Sequence, residues 1–210
     1  MSQALFYSTF IILSIIGTAA AQTVGPRGAV DTQTIGPDDA FQVRYASNLT
    51  IGDSVVNMTN TGTSGGNICA NIYTFDSAEE LVACCACGIT PNALQSLSVR
   101  NSLISNTLTP AVPSSVVIKL LASSATTCNA AAVTSDTLAP GLRAWGTTIH
   151  LLPTINASYG VTETEFLNAG LTDAELTHLT SFCQFIQEIG GGYGICKGCV
   201  VGGLGALPTP

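Results

Sequence analysis

Phe41-Gln42-Val43-Arg44-Tyr45 alternates apolar and polar side chains at every step. A two-residue period marks a strand with one face buried. The same signal recurs along the chain. Ser54 to Asn60 is a second candidate strand, bounded by Gly52 and by Gly62 to Gly66. Ile68 to Phe75 is a third and contains Cys69. Leu97 to Ile104 alternates weakly. Val116 to Ala122 is apolar except for Lys119, which suits a strand covered on both faces. Trp145 to Leu152 is another, closed by Pro153. Short strands between turn-rich segments predict a mainly β fold, an antiparallel β-sandwich.

One helix stands out near the C-terminus. Thr172 and Glu175 have the spacing of a capping box, and Gly190, Gly191 and Gly192 supply the stop. At 100° per residue, Leu176, Leu179, Phe182, Cys183, Phe185, Ile186 and Ile189 share one wide arc. Asp173, Thr177, Ser181, Gln184 and Glu188 lie opposite. This amphipathic helix is expected to lay its apolar face on a sheet.

The N-terminus decides the compartment. Phe10 to Ile16 is an apolar run, followed by Gly17, Thr18 and Ala19-Ala20-Ala21. That is the pattern of a secretory signal peptide cleaved after Ala21, although Met1 to Phe10 contains no Lys or Arg. The alternative is an uncleaved anchor, for which the segment is short. No later stretch has the length of a membrane span. The expected organisation is a signal peptide over 1–21, a Gly/Thr/Pro-rich arm over 22–39 and a sandwich over 40–160. A helical segment over 161–192 and a Cys/Gly-rich tail over 193–210 complete it.

Charged residues make up 9% of the chain, against about a quarter in ordinary domains. The six basic residues are scattered and the net charge is −7. Such a surface has no patch to neutralise phosphates, which excludes nucleic acid as a natural partner. It is rich in Ser, Thr, Asn and Gly, so it is hydrogen-bonding and weakly charged.

Eight cysteines remain after processing: Cys69, Cys84, Cys85, Cys87, Cys128, Cys183, Cys196 and Cys199. An even number in an exported chain reads as a disulfide framework, with 105 connectivities open. Cys84-Cys85-Ala86-Cys87 is read as a loop before Thr90-Pro91-Asn92. Adjacent cysteines resist pairing with each other. This loop is therefore expected to pin the helix and tail through Cys183, Cys196 or Cys199. Two sharper readings compete. The clusters could supply thiolates to a metal, but an exported protein meets oxidant first and the two clusters offer five ligands where four are needed. Cys196-Lys197-Gly198-Cys199 could be a redox couple, but no helix follows it to lower a thiol pKa. No metal or cofactor is expected.

Catalytic signals are absent. His150 lies on a strand beside Thr148, on the side away from Trp145 and Ile149, and is read as solvent-facing. His178 falls on the edge of the helix's apolar arc. Trp145 is read as a core residue. Neither a G-x-S-x-G elbow nor an H-E-x-x-H is present. Asp76, Glu79 and Glu80 form an acidic group without the ligand spacing of a calcium loop. Sequons occur at Asn48, Asn57 and Asn156, about as many as chance supplies.

Three blocks, Ile68 to Phe75, Cys84-Cys85-x-Cys87 with Thr90-Pro91-Asn92, and Leu138-Ala139-Pro140-Gly141-Leu142-Arg143-Ala144-Trp145, resemble a set of uncharacterised exported bacterial proteins rich in cysteine. The resemblance implies export and no particular activity. The expectation is a secreted structural or adhesive protein without catalytic activity. Its partner would be extracellular matrix, a surface glycan or itself. A secreted enzyme or thiol–disulfide oxidoreductase is the alternative, and a carbohydrate-binding module using Trp145 and the tyrosines the third.

Overall fold

The computed structural model describes residues 33–124, 127–153 and 158–199. The signal peptide and most of the arm, Asn156 and the last eleven residues lie outside the described residues. Two antiparallel sheets face each other. The strands are β1 (Phe41–Ala46), β2 (Val55–Asn60), β3 (Ile68–Phe75), β4 (Leu81–Ile89) and β5 (Leu94–Ser98), then β6 (Val116–Ser123), β7 (Leu142–Leu151), β8 (Tyr159–Glu165) and β9 (Leu167–Asn168). One sheet runs β4-β3-β6-β1-β9 and the other β5-β2-β7-β8. The single α-helix of the described residues, α1 (Asp173–Ile189), packs outside the first sheet.

Strand alternation divides the apolar side chains between two cores. Ile68, Ala70 and Ile72 of β3 and Val116, Ile118 and Leu120 of β6 point inward, where they meet Val56 and Met58 of β2 and Leu142 and Ala144 of β7. The opposite faces of the same strands carry Tyr73, Phe75 and Leu121, which pack on Leu176, Leu179, Cys183 and Ile186 of α1. β3 and β6 are central and carry buried side chains on both faces. Fully burying an aliphatic side chain contributes about 1.5–3 kcal/mol, so both layers matter to stability. Tyr73 sits at the second core with its Oη donating to the Ala130 carbonyl at 2.6 Å. Burial pushes its phenol well above the usual tyrosine value.

The helix ends follow the sequence signals, with one change. The Thr172 hydroxyl accepts the Glu175 N–H at 3.1 Å, and Gly190 closes the helix at φ +69°. The Glu175 carboxylate turns instead to Lys119, 2.6 Å away, so the capping box is only half made. Contact with the sheet covers only part of the apolar arc. Phe182, Phe185 and Ile189 remain about half exposed.

Several sequence expectations are corrected. Cys84 to Cys87 lie within strand β4, since the run Ala83-Cys84-Cys85-Ala86-Cys87 pairs in register with β3, beyond a register shift at Thr74/Phe75. Cysteine behaves there as a small buried apolar residue, which a cluster reading conceals. The weak strand at Leu97 to Ile104 is the end of β5 followed by a π-helical turn, Val99–Leu103. Strand pairing continues past residue 160 through β8 and β9 to Asn168, and the helix occupies only Asp173–Ile189 of the 161–192 stretch. In β7, the inward residues are Leu142, Ala144, Gly146 and Thr148. Trp145 and Ile149 are on the outer face, the reverse of the expectation.

Candidate functional site

Four disulfides organise one side of the molecule. Cys69 on β3 bonds Cys128, with Cα atoms 5.4 Å apart. The other three leave β4. Cys84 points to the helix layer and bonds Cys183 of α1. Cys85 and Cys87, two residues apart on one strand, point to the opposite face and bond Cys196 and Cys199 of the tail. Alternation explains the division: successive strand side chains face opposite ways. Cys85 Sγ lies 3.5 Å from Cys199 Sγ, so the two tail bridges are neighbours.

The tail also completes the sheet. The Cys84 N–H donates to the Gly194 carbonyl at 2.8 Å, and the Cys196 N–H to the Cys84 carbonyl at 3.3 Å. β4 is an edge strand, and this short parallel bridge satisfies part of its outer rim. Gly194 has φ +77°, and a Cβ there would come within 2.8 Å of Ile186. Only glycine lets the tail pass so close to the helix.

The eight sulfurs are all engaged in these bridges. Cys196 and Cys199 are each bonded to β4 and not to each other, so the tail motif is not a closed C-x-x-C couple. A thiolate metal site would need these sulfurs free.

At the other end of the sandwich the interior is polar. Arg44 of β1 points between the sheets and is 7% exposed. Its Nη2 donates to Thr148 Oγ1 at 2.8 Å and its Nε to Thr164 Oγ1 at 3.2 Å. Nη1 has no hydrogen-bond partner among the described residues. Burial pushes the guanidinium below its ordinary pKa, and the Glu163 carboxylate offsets part of that. Gly146 lies directly opposite: a Cβ there would be 2.6 Å from the guanidinium. Large residues cannot face inward at this point of β7, which is why Trp145 and Ile149 go outward. His150 shares the inner side with Thr148, and its Nε2 lies 2.9 Å from Thr162 Oγ1. That side is buried at Thr148, but at His150 it is open to solvent, as the sequence suggested: Thr162 is exposed and the contact lies at the surface.

Trp145 is therefore a half-buried aromatic on a broad polar sheet face. Its cross-strand neighbours are Asn57 and Glu165. Asn57 Nδ2 donates to Glu163 Oε1 at 3.0 Å, and its Oδ1 accepts from the Ser96 hydroxyl at 2.7 Å. The Asn48 sequon lies in a turn at φ +61°.

A second polar cluster lies where the helix meets the first sheet. Phe75, Asp76, Glu79, Val117, Lys119, Glu175 and His178 line a cleft of about 420 Å³. Lys119 Nζ bonds Glu175 and stands 4.6 Å from the Phe75 ring centroid. His178 Nδ1 is 4.0 Å from Glu175 Oε2, and its ring meets Phe182 edge-on at 4.6 Å. Sequence reasoning placed Lys119 in a buried strand and Glu175 in a cap, and missed their pairing. Asp76 Oδ1 accepts the N–H groups of Ala78 and Glu80, so it ties the β3–β4 turn. Asp39 likewise accepts the Gly141 N–H and is no free carboxylate. Among the described residues no group of three or more acidic, Cys or His side chains could hold a metal ion.

These features define a disulfide-stapled β-sandwich with one helix packed on its outer face. No family model, no characterised protein and no solved structure matches the chain. No helix of the described residues is long and apolar enough to cross a membrane.

Proposed function

We propose that this protein is a secreted, disulfide-hardened structural or adhesive component of an extracellular surface, and that it performs no catalysis. The observation that carries the reading is the commitment of all eight cysteines to cross-links that fasten helix and tail to the sheet. Such frameworks form and persist in oxidising compartments. The thiol oxidoreductase alternative needs Cys196 and Cys199 paired with each other or free, and both are bonded to β4. The weakly charged surface rich in hydroxyl and amide groups suits contact with glycans or matrix.

The test is mass spectrometry of the native protein from culture medium, alkylated before and after reduction. The expected result is no alkylation before reduction, peptides joined as above, and an N-terminus at Gln22. Free thiols on protein retained in the cytoplasm would end the proposal.

A second reading gains support from Trp145. In a core it would have no ligand role, but on the outer sheet face its ring is available to stack on a sugar, with Asn57, Glu163 and Ser96 beside it to hydrogen-bond hydroxyls. Glycan-array binding that is lost in Trp145→Ala would favour the carbohydrate-binding module.

A further inference from the structure

Strand β8 ends its sheet, and among the described residues no strand lies beyond it. The other exposed rims are treated differently. β4 is covered by the tail bridge and β1 by β9 at Gln42 and Val43. β5 is five residues long and the tail reaches it, with Gln95 Nε2 3.4 Å from the Gly198 carbonyl. β8 has seven residues, pairs with β7 without a register break, and contains no proline. Tyr159 is 56% and Val161 63% exposed. Bulges, prolines and charged side chains, lysine above all, are the usual devices that stop an edge from pairing; this strand has no bulge, proline or lysine, and its only charges are Glu163 and Glu165 near its C-terminal end.

The ladder phase shows which backbone groups are available. The Phe166 N–H donates to the Ala144 carbonyl at 2.8 Å, and the Leu152 N–H to the Ser158 carbonyl at 2.9 Å. In an antiparallel ladder hydrogen-bonded positions recur every second residue. The even-numbered residues of β8 therefore face β7. Tyr159, Val161, Glu163 and Glu165 turn their N–H and C=O groups outward, with their side chains on the outer sheet face.

We propose that β8 pairs antiparallel with β8 of a second copy, about a two-fold axis at Thr162, joining two four-stranded sheets into one of eight. This rests on the structural reading above for its biological use, while the pairing itself rests on the strand. Its register is set by overlap on one side and by charge on the other. With Thr162 on the axis, Val161 faces Glu163 and Tyr159 faces Glu165 of the second copy, all at hydrogen-bonding positions. The overlap covers the whole strand. Sliding by one step toward the C-terminus would set Glu163 against its own copy, and like charges directly opposite are unfavourable. On the inner side Thr162 meets Thr162, a favourable cross-strand pair, and Thr164 meets Gly160. A closed two-fold contact also consumes the edge and stops further growth.

The full chain is tested by sedimentation velocity and by a cysteine trap. Seven residues of strand make a small interface, so half-dimerisation is expected between about 1 and 100 µM. Val161→Pro removes an outward N–H and leaves the β7 ladder intact. It should abolish the dimer while circular dichroism stays unchanged. Thr162 sits at a non-hydrogen-bonded pair, where opposed Cα atoms are about 4.5 Å apart, inside the range a disulfide spans. Thr162→Cys should cross-link under glutathione disulfide. Thr164→Cys, whose copies would lie about 13 Å apart, should not. A chain that stays monomeric at about 500 µM, or a dimer that survives Val161→Pro, overturns the proposal. So does a dimer in which Thr162→Cys fails to cross-link. Each leaves the disulfide mapping, and the structural reading it tests, untouched.

Discussion

Removing one disulfide at a time should rank the four bridges in an order their sequence separations do not suggest. The separations are 59 for Cys69–Cys128, 99 for Cys84–Cys183, 111 for Cys85–Cys196 and 112 for Cys87–Cys199. Taken alone, a loop near 100 residues is worth about 4.7 kcal/mol of unfolded-state entropy. Three of these bridges are nested, however. With Cys85–Cys196 intact, the unfolded chain still joins Cys84 to Cys183 through one step of β4 and thirteen residues back from the tail. That circuit of about 15 residues leaves about 3 kcal/mol for the Cys84–Cys183 bridge. The circuit left for either tail bridge, given the other, is about six residues, worth about 2 kcal/mol. Cys69–Cys128 has no shortcut and keeps about 4 kcal/mol. Paired Cys→Ala variants, unfolded in guanidinium and compared by extrapolated stability, should therefore lose most at Cys69/Cys128 and least, by equal amounts, at Cys85/Cys196 and Cys87/Cys199. A ranking that follows sequence separation would refute the nested connectivity.

Three further outcomes follow from individual side chains. Gly146→Ala should cost about 2 kcal/mol, because its methyl group displaces the guanidinium from Thr148 and Thr164, and much less in an Arg44→Ala background; a thermodynamic cycle by urea denaturation checks the coupling. Tyr73→Phe should cost about 1 kcal/mol at neutral pH by losing the bond to Ala130. The Tyr73 phenol is held neutral in the folded state, so the unfolded chain releases its proton first and wild-type stability falls as pH rises above about 10; Tyr73→Phe should flatten that alkaline slope. Trp145 on an outer sheet face should be quenched by iodide in the native protein, where a core tryptophan would be shielded.

Much of the fold was legible because burial imposes a period. β2 shows it; β6 shows the continuous apolar run of a strand covered on both faces; in β1 the alternation located the strand although its between-sheet face carries Gln42 and Arg44; and α1 shows both its cap residue and its glycine stop. What escaped the sequence escaped for physical reasons. β4 was hidden because cysteine was counted as cross-link chemistry rather than as a buried strand residue. The readable signal was parity: Cys85 and Cys87 two apart on one face, Cys84 on the other. β8 carries no apolar alternation because neither of its faces is covered. β7 showed a clear alternation whose sign was misread, since the rule that large residues face inward fails where an arginine already fills the interior. The Lys119–Glu175 pair joins strand to helix across 56 residues, and no local pattern announces it.

The misread strand and the open edge have a common cause. A strand exposed on both faces is weakly specified in register, because sliding it buries nothing and exposes nothing. β8 is such a strand, so something other than apolar packing must hold its alignment. Phe166, 2% exposed, anchors it at one end, and the Arg44–Thr164 bond ties its last turn of ladder to the opposite sheet. A buried guanidinium is costly, and substituting it by an apolar residue of like volume is often neutral for stability. Its retention here is explained if register is what it supplies. The glycine facing it, Gly146, then follows from its volume, and the outward Trp145 from the alternation that Gly146 sets. An Arg44→Met variant that keeps its stability but loosens β8, seen as faster amide exchange at the even-numbered residues 160, 162 and 164, would bear this out. Unchanged exchange there would mean that Phe166 and the β7 ladder suffice, and the arginine would lose its explanation.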